Sequence, residues 1–297
     1  MLVNRRAWLL FILVSVLWGI PYFLIKIAID DLSPLLVVAG RCAIGAACLI
    51  PVALIRGTLG ALRGHLGVVA GLAAVHIVGP FLLITYGETH ISSSLTGILI
   101  AIEPVVIALM MAGSEPITGI RIAGLVAGFA GVVVLVGLDV SGDRWGMIGA
   151  GMVLLAALSY AYATKLVQQR LSDLPPDALT AGTTGISTLV LIPFALFRLP
   201  SAGSVGAHAW LALAGLGVLC TALAMLAFYR LIALAGSNKA GLVTYVNPVV
   251  AAVLGVALLS EPVGIGTVAG FLLIVAGCWL STRPVRTAPA KELVNAA

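Results

Sequence analysis

Ser94-Leu-Thr-Gly-Ile-Leu, Glu103-Pro104-Val-Val, Ser114-Glu115-Pro116, Gly124 and Gly131 form a skeleton that the chain writes twice. It returns as Asn238-Lys-Ala-Gly-Leu-Val, Asn247-Pro248-Val-Val, Ser260-Glu261-Pro262, Gly270 and Gly277. The offset is 144 residues up to the Pro-Val-Val step (248 − 104) and 146 from Ser-Glu-Pro onward (261 − 115), so one two-residue slip separates the copies. Apolar matches weigh little in so apolar a chain, but paired prolines, glycines and Ser-Glu-Pro are hard to obtain by chance. The stretch is read as an internal duplication.

The solvent of this chain is lipid. Of its 297 residues, 61% are apolar and 9% charged, and the mean hydropathy is +1.19, outside the range of ordinary soluble domains. The apolar runs have the length that an α-helix needs to cross a hydrocarbon core of about 30 Å. The short alternating segments of a barrel are absent, so the expected fold is an all-α integral membrane protein. The net charge of +5 does not point to nucleic acid, because no basic cluster is interleaved with aromatics. Cys42, Cys48, Cys220 and Cys278 lie inside apolar runs without ligand spacing and read as buried residues; no metal or cofactor is expected. Asn4-Arg5-Arg6 and the run after it resemble a signal peptide, but the run is long, lacks a small-x-small end and closes on Lys26, so it reads as a first span.

Ten spans are predicted, at 8–28, 33–55, 66–87, 92–113, 119–138, 146–166, 177–197, 208–229, 240–259 and 264–282. They divide into a first repeat at 1–140 and a second at 141–282, with a tail at 283–297 too polar to pack. Arg5, Arg6, Arg56, Arg63, Arg121, Lys165, Arg170, Arg230, Lys239, Arg283, Arg286 and Lys291 fall on one side of the membrane. The other side carries Asp30, Asp31, Glu88, Asp139, Asp143 and Glu261, with only Arg144 and Arg198 in its loops. That bias predicts a basic face in the cytoplasm with both termini on it. Five is odd, so the second repeat enters from the opposite side to the first. Two inverted five-helix repeats, related by an axis in the membrane plane, supply the paired states of alternating access, which points to a transporter.

Leu17-Trp18-Gly19, the steps at Pro104 and Pro248, the Glu115 and Glu261 motifs and the glycine-spaced helices after them together resemble the drug/metabolite transporter superfamily over residues 8–282. Within it the chain is similar to the ten-span EamA-type exporters, and among those to the YddG-type exporters of aromatic and other amino acids. The resemblance implies export of amino acids and related small metabolites from a bacterial inner membrane. A broad carrier of drugs or other metabolites is the alternative.

Pro21, Pro80, Pro104 and Pro248 are candidate breaks or hinges. A helical proline donates no N–H, so Pro80 frees the carbonyl of His76, Pro104 that of Ile100 and Pro248 that of Thr244. Glu103 is the carboxylate placed near the middle of a span, where a charge costs about 2.5–3.5 kcal/mol and calls for a partner. It either meets a substrate ammonium or a proton, or pairs with Arg41 and pins spans 2 and 4. Its echo, Asn247, is uncharged. Arg41 could also meet a substrate carboxylate. His76 lies mid-span, and Trp18, Tyr86, Tyr160 and Tyr245 are candidates to line a cavity for a flat solute; each could equally be a packing residue. Glu115 and Glu261 are read as turn-forming helix starts. Gly124, Gly128 and Gly131, with Gly266, Gly270 and Gly277, have the spacing of a close helix seam.

No phosphate-binding glycine loop accompanies the spans, so ATP coupling is not expected. No catalytic constellation is present, and the chain is not read as an enzyme; a passive channel would need a ring of charge. The expected partners are the lipid bilayer and a small-molecule substrate, and a monomer suffices for the inverted repeat.

Overall fold

The computed structural model describes residues 5–110, 118–140, 143–201, 203–236 and 240–282. Glu115, Lys239 and the tail at 283–297 lie outside them. Among the described residues eight helical segments are long and apolar enough to cross a membrane: Arg5–Ala28, Pro34–Ile55, Leu66–Gly87, Ser93–Met110, Gly119–Leu138, Arg144–Arg170, Pro176–Leu196 and Ala207–Ala235. Two shorter apolar helices, Val243–Leu259 and Ile265–Ser281, complete spans 1 to 10. The protein is an all-α membrane protein of ten spans in two inverted five-helix repeats.

The chain starts its helices where its caps allow. Ser33, Ser92 and Thr118 accept the backbone N–H three residues on, at the heads of spans 2, 4 and 5, and Asp143 accepts that of Trp145 at span 6. Each fills a donor that the helix itself leaves open.

Two lateral pairs join the repeats. Span 5 lies along span 10, and span 2 along span 7, in the broadest helix contacts of the fold. The first helix of each repeat crosses over to the other. Span 1 packs on spans 8 and 9, and span 6 packs on spans 3 and 4. The centre therefore consists of two interlocked groups, spans 3, 4 and 6 facing spans 8, 9 and 1.

The glycines of spans 5 and 10 stand between those two helices. A Cβ on Gly131 would lie 2.8 Å from the Gly270 carbonyl oxygen, one on Gly270 2.7 Å from the Leu135 Cβ, and one on Gly277 2.7 Å from the Gly124 oxygen. Gly128 also faces Val105 of span 4, where an added Cβ would lie 2.8 Å from its Cγ2, and Gly266 is buried in the first turn of span 10. The helix backbones touch because no side chain separates them.

Candidate functional site

Each central group carries an irregular helix. Span 3 runs as Leu66–Ala73, a π-helical turn Ala74–Val78, and Gly79–Gly87. Span 8 runs as Ala207–Gly217, a π-helical turn Val218–Leu223, and Ala224–Ala235. The two turns begin 144 residues apart (218 − 74), the offset of the repeat. A π turn misaligns carbonyls with their usual donors, and hydroxyls meet them here. Ser159 Oγ of span 6 donates to the Val75 oxygen at 2.6 Å, and Thr221 Oγ1 donates to the Leu216 oxygen at 2.9 Å. In span 3 the proline-freed backbone is absorbed by the π turn, which ends just before Pro80. Span 8 makes the same turn without a proline.

Spans 4 and 9 differ. Span 4 breaks into Ser93–Ile100 and Glu103–Met110, with Glu103-Pro104 opening the second piece. The Ala101 oxygen at the break accepts the Cys278 thiol of span 10 at 3.0 Å. Span 9 passes straight through Asn247-Pro248 within Val243–Leu259; its turn lies earlier, where Thr244 and Tyr245 bond back to Gly241 and Leu242. Pro248 is thus inside an unbroken helix and does not mark the break that its mirror position suggests. With its amide nitrogen turned to face acceptors, Asn247 donates to the carbonyls of Val243 at 2.8 Å and Ser15 at 3.0 Å, tying span 9 to span 1. Pro21 makes only a bend: Ile20 and Leu24 keep their backbone bonds across it, at 3.0 and 3.1 Å.

Around these irregularities five side chains converge. Arg41 of span 2 is buried; its Nε donates to Thr221 Oγ1 at 3.0 Å, and its guanidinium lies 3.9 Å over the Phe81 ring. It therefore bridges span 8 and span 3, one from each central group. Among the described residues Arg41 has no ion pair with Glu103, so the expected pin between spans 2 and 4 is absent. His76, in the π turn of span 3, meets the edge of Tyr160 at 5.7 Å between ring centres. Tyr22 of span 1 and Tyr160 of span 6 are each within electrostatic reach of both Arg41 and Glu103, and both pack on one apolar cluster with Phe81 and Ile100. Tyr22 is a member that the sequence did not single out. Its signal was the small residue facing it: a Cβ on Gly97 would lie 3.3 Å from the Tyr22 ring. On the other group, Trp18 packs against Phe228, 4.6 Å between ring centres.

The remaining candidates lie elsewhere. Tyr86 is 43% exposed at the end of span 3. Tyr245 hydroxyl bonds Thr282 at 2.7 Å, joining the ends of spans 9 and 10. Neither faces the central cluster. Two peripheral cavities are lined by other residues: one of about 430 Å³ with His90, Asp143 and Thr267 among its walls, and one of about 330 Å³ between Arg6 and Arg230. Among the described residues no group of three or more His, Cys, Asp or Glu is arranged to hold a metal.

The acidic face carries the second set of polar contacts. Glu261, from the turn between spans 9 and 10, does not cap its own helix, whose head is Gly264 without a side-chain cap. It reaches across to span 4, accepting Ser93 N at 2.7 Å, Ser94 N at 2.9 Å and Ser94 Oγ at 2.5 Å. Gly255 leaves room for this carboxylate, since a Cβ there would collide with it. Burial raises the Glu261 pKa, but the Ser94 and Ser93 hydrogen bonds outweigh it and hold the carboxyl below its ordinary value. Lys26 of span 1 donates to the carbonyls of Glu88 at 2.7 Å and Ile91 at 3.1 Å. Asp31 accepts Gly206 N at 2.7 Å and lies 3.3 Å from His208. Lys26 and Glu261 belong to the group of spans 8, 9 and 1, and both hold the turn between spans 3 and 4. These contacts tie the two central groups together at the acidic face.

Comparison with known proteins gives one family. The EamA-like transporter family matches twice, at residues 5–137 and 147–283. An uncharacterized transporter of Archaeoglobus fulgidus is 28% identical over 286 residues, covering 94% of this chain and 99% of its own length. The uncharacterized transporter YoaV of Bacillus subtilis is 26% identical over 91% of this chain and 94% of its own. The uncharacterized inner membrane transporter YedA of Escherichia coli strain K12 is 27% identical over 83% and 80%. A solved crystal structure shares the fold at a TM-score of 0.66 and 22% identity, covering 94% of this chain and 97% of that one. With the repeat, the ten spans and two matches that together cover nearly the whole chain, the protein belongs to the EamA-like transporter family of the drug/metabolite transporter superfamily.

Proposed function

We propose that this transporter exports amino acids, aromatic and other neutral ones, across a bacterial inner membrane by alternating access between its two central groups. The observation that carries this reading is the convergence of Arg41, Glu103, Tyr22, Tyr160 and His76 where spans 3 and 4 are irregular. A cation and a carboxyl that do not pair with each other, set among aromatic rings, are complementary to a zwitterion with a flat or apolar side chain. Spans 3, 4 and 6 rock against spans 8, 9 and 1, while the pairs 5–10 and 2–7 form the frame. The basic face is cytoplasmic, by the lysine and arginine bias, and the inner-membrane location of YedA supports the compartment. Export as the direction, and amino acids as the cargo, come from the resemblance to YddG-type exporters.

Counterflow in proteoliposomes with labelled tryptophan, threonine and methionine tests the cargo. Exchange of at least one of them is expected. Exchange of none, with uptake of unrelated cationic or neutral drugs, would replace this reading by that of a broad drug or metabolite carrier.

A further inference from the structure

Glu88 ends span 3 as its C-cap, on the acidic face, and is fully buried at 0% exposure. Among the described residues neither of its carboxyl oxygens has a hydrogen-bond partner. The nearest cation does not serve it, because Lys26 spends its ammonium on the main-chain oxygens of Glu88 and Ile91. Nor does span 6 help: it closes over this turn through bare backbone, with Gly87 and Gly149 so close that a Cβ on Gly87 would lie 3.0 Å from the Gly149 oxygen. The charged and titratable groups around Glu88 are Tyr22 and Lys26 from span 1, Arg41 from span 2 and Glu261 from the turn between spans 9 and 10. His90 and Asp143 border the same turn. A carboxylate without donors in such a place is held as the neutral acid. Burial drives its pKa well above the ordinary range, and the charge of Lys26 opposes this only in part.

The turn that encloses Glu88 is the one that Lys26 and Glu261 clamp. We propose that Glu88 is a proton-binding site that couples the pH at the acidic face to closure of that face. In the closed state the carboxyl carries its proton. When the clamp releases, water reaches the carboxyl, the O–H bond breaks, the proton passes to that water, and the carboxylate is free to pair with Lys26. The proton is taken from and returned to the same side, so it gates transport without being carried across. The second repeat has Ile232 at the equivalent place (88 + 144), so only one face is gated this way. The inference rests on the alternating-access reading.

The sign follows from linkage. The closed state holds the proton more tightly, so acid favours closure. The open-to-closed ratio rises with pH, by at most about tenfold per pH unit, from the ordinary carboxyl value near about 4.3 up to the raised closed-state value. Spin labels on Thr89→Cys and Val263→Cys, both exposed positions on opposite sides of the clamp, report the separation in the full-length protein in nanodiscs between pH 5 and 9. The longer distance is expected to gain population with pH in the wild-type background. Glu88→Gln is expected to hold the short distance at every pH, and Glu88→Asp to keep a pH response. Glu261→Gln is expected to lengthen the distance throughout while retaining the pH dependence. A Glu88→Gln protein that elutes and melts like wild type yet keeps the full pH response overturns the proposal, as does a wild-type distance that ignores pH. A pH-dependent distance in a protein that exchanges no solute would sink the transport reading and leave the proton site standing.

Discussion

At the scale of single residues, the central cluster separates charge from pairing. Arg41 gives its Nε–H to Thr221 and its plane to Phe81, which leaves Glu103 without that partner. A lysine keeps the charge of arginine but neither the fork nor the stack. Arg41→Lys is therefore expected to lower thermal stability by about 1–2 kcal/mol, and Thr221→Val by a similar amount, as read from melting of the purified protein. For Glu103→Gln, the loss of a charge-assisted contact of about 1.5–3 kcal/mol should weaken labelled amino acid binding at least about tenfold. Unchanged affinity would remove Glu103 from the substrate site. Glu103 and Arg41 were legible in the sequence because a charge inside an apolar run announces itself. Glu88 was not. An acid just past the end of a span reads as solvated, and only the Gly87–Gly149 approach, made by residues far apart in the chain, reveals that this one is buried.

At the scale of helices, the sequence gives positions better than shapes. Except in span 8, read to 229 but running on to Ala235, the span ends were legible within a few residues because hydropathy and caps are local. The π turn of span 8 was not, since no proline marks it and its filler, Thr221, is an unremarkable residue in an apolar run. The break in span 9 was misplaced for the opposite reason: Pro248 offers a conspicuous signal that the packed helix absorbs. Ser159→Ala removes the hydroxyl that answers the Val75 carbonyl and is expected to cost about 1 kcal/mol. The glycine seam makes a sharper contrast. Gly277→Ala pushes a methyl into the backbone of span 5 and should destabilise by about 1–3 kcal/mol. Gly137→Ala, in the same span 5 but facing open space, should be neutral or stabilising by up to about 1 kcal/mol. Equal effects of the two would show that the seam does not govern the contact.

At the scale of the whole molecule, the duplication decides the architecture. An odd number of spans per copy inverts the second, and the interlocking of spans 1 and 6 with the opposite repeats then lets each half hold the other. That exchange of first helices was beyond the sequence, because apolar surfaces in lipid carry no pairing code until small residues or hydroxyls fix one. The orientation has a direct check. A reporter enzyme fused after the last span should be active only on the cytoplasmic side, and activity on the far side would reverse the assignment of the basic face.

The shared π turns also date the parts of this protein. An irregularity found at the same offset in both halves is most simply an inheritance from the single unit that was copied. The carboxylate at Glu103 and the buried acid at Glu88 stand opposite Asn247 and Ile232 at the mirrored positions, so the two copies differ in charge where they agree in shape. The bend in the framework belongs to both halves, whereas these two acids belong to the first alone.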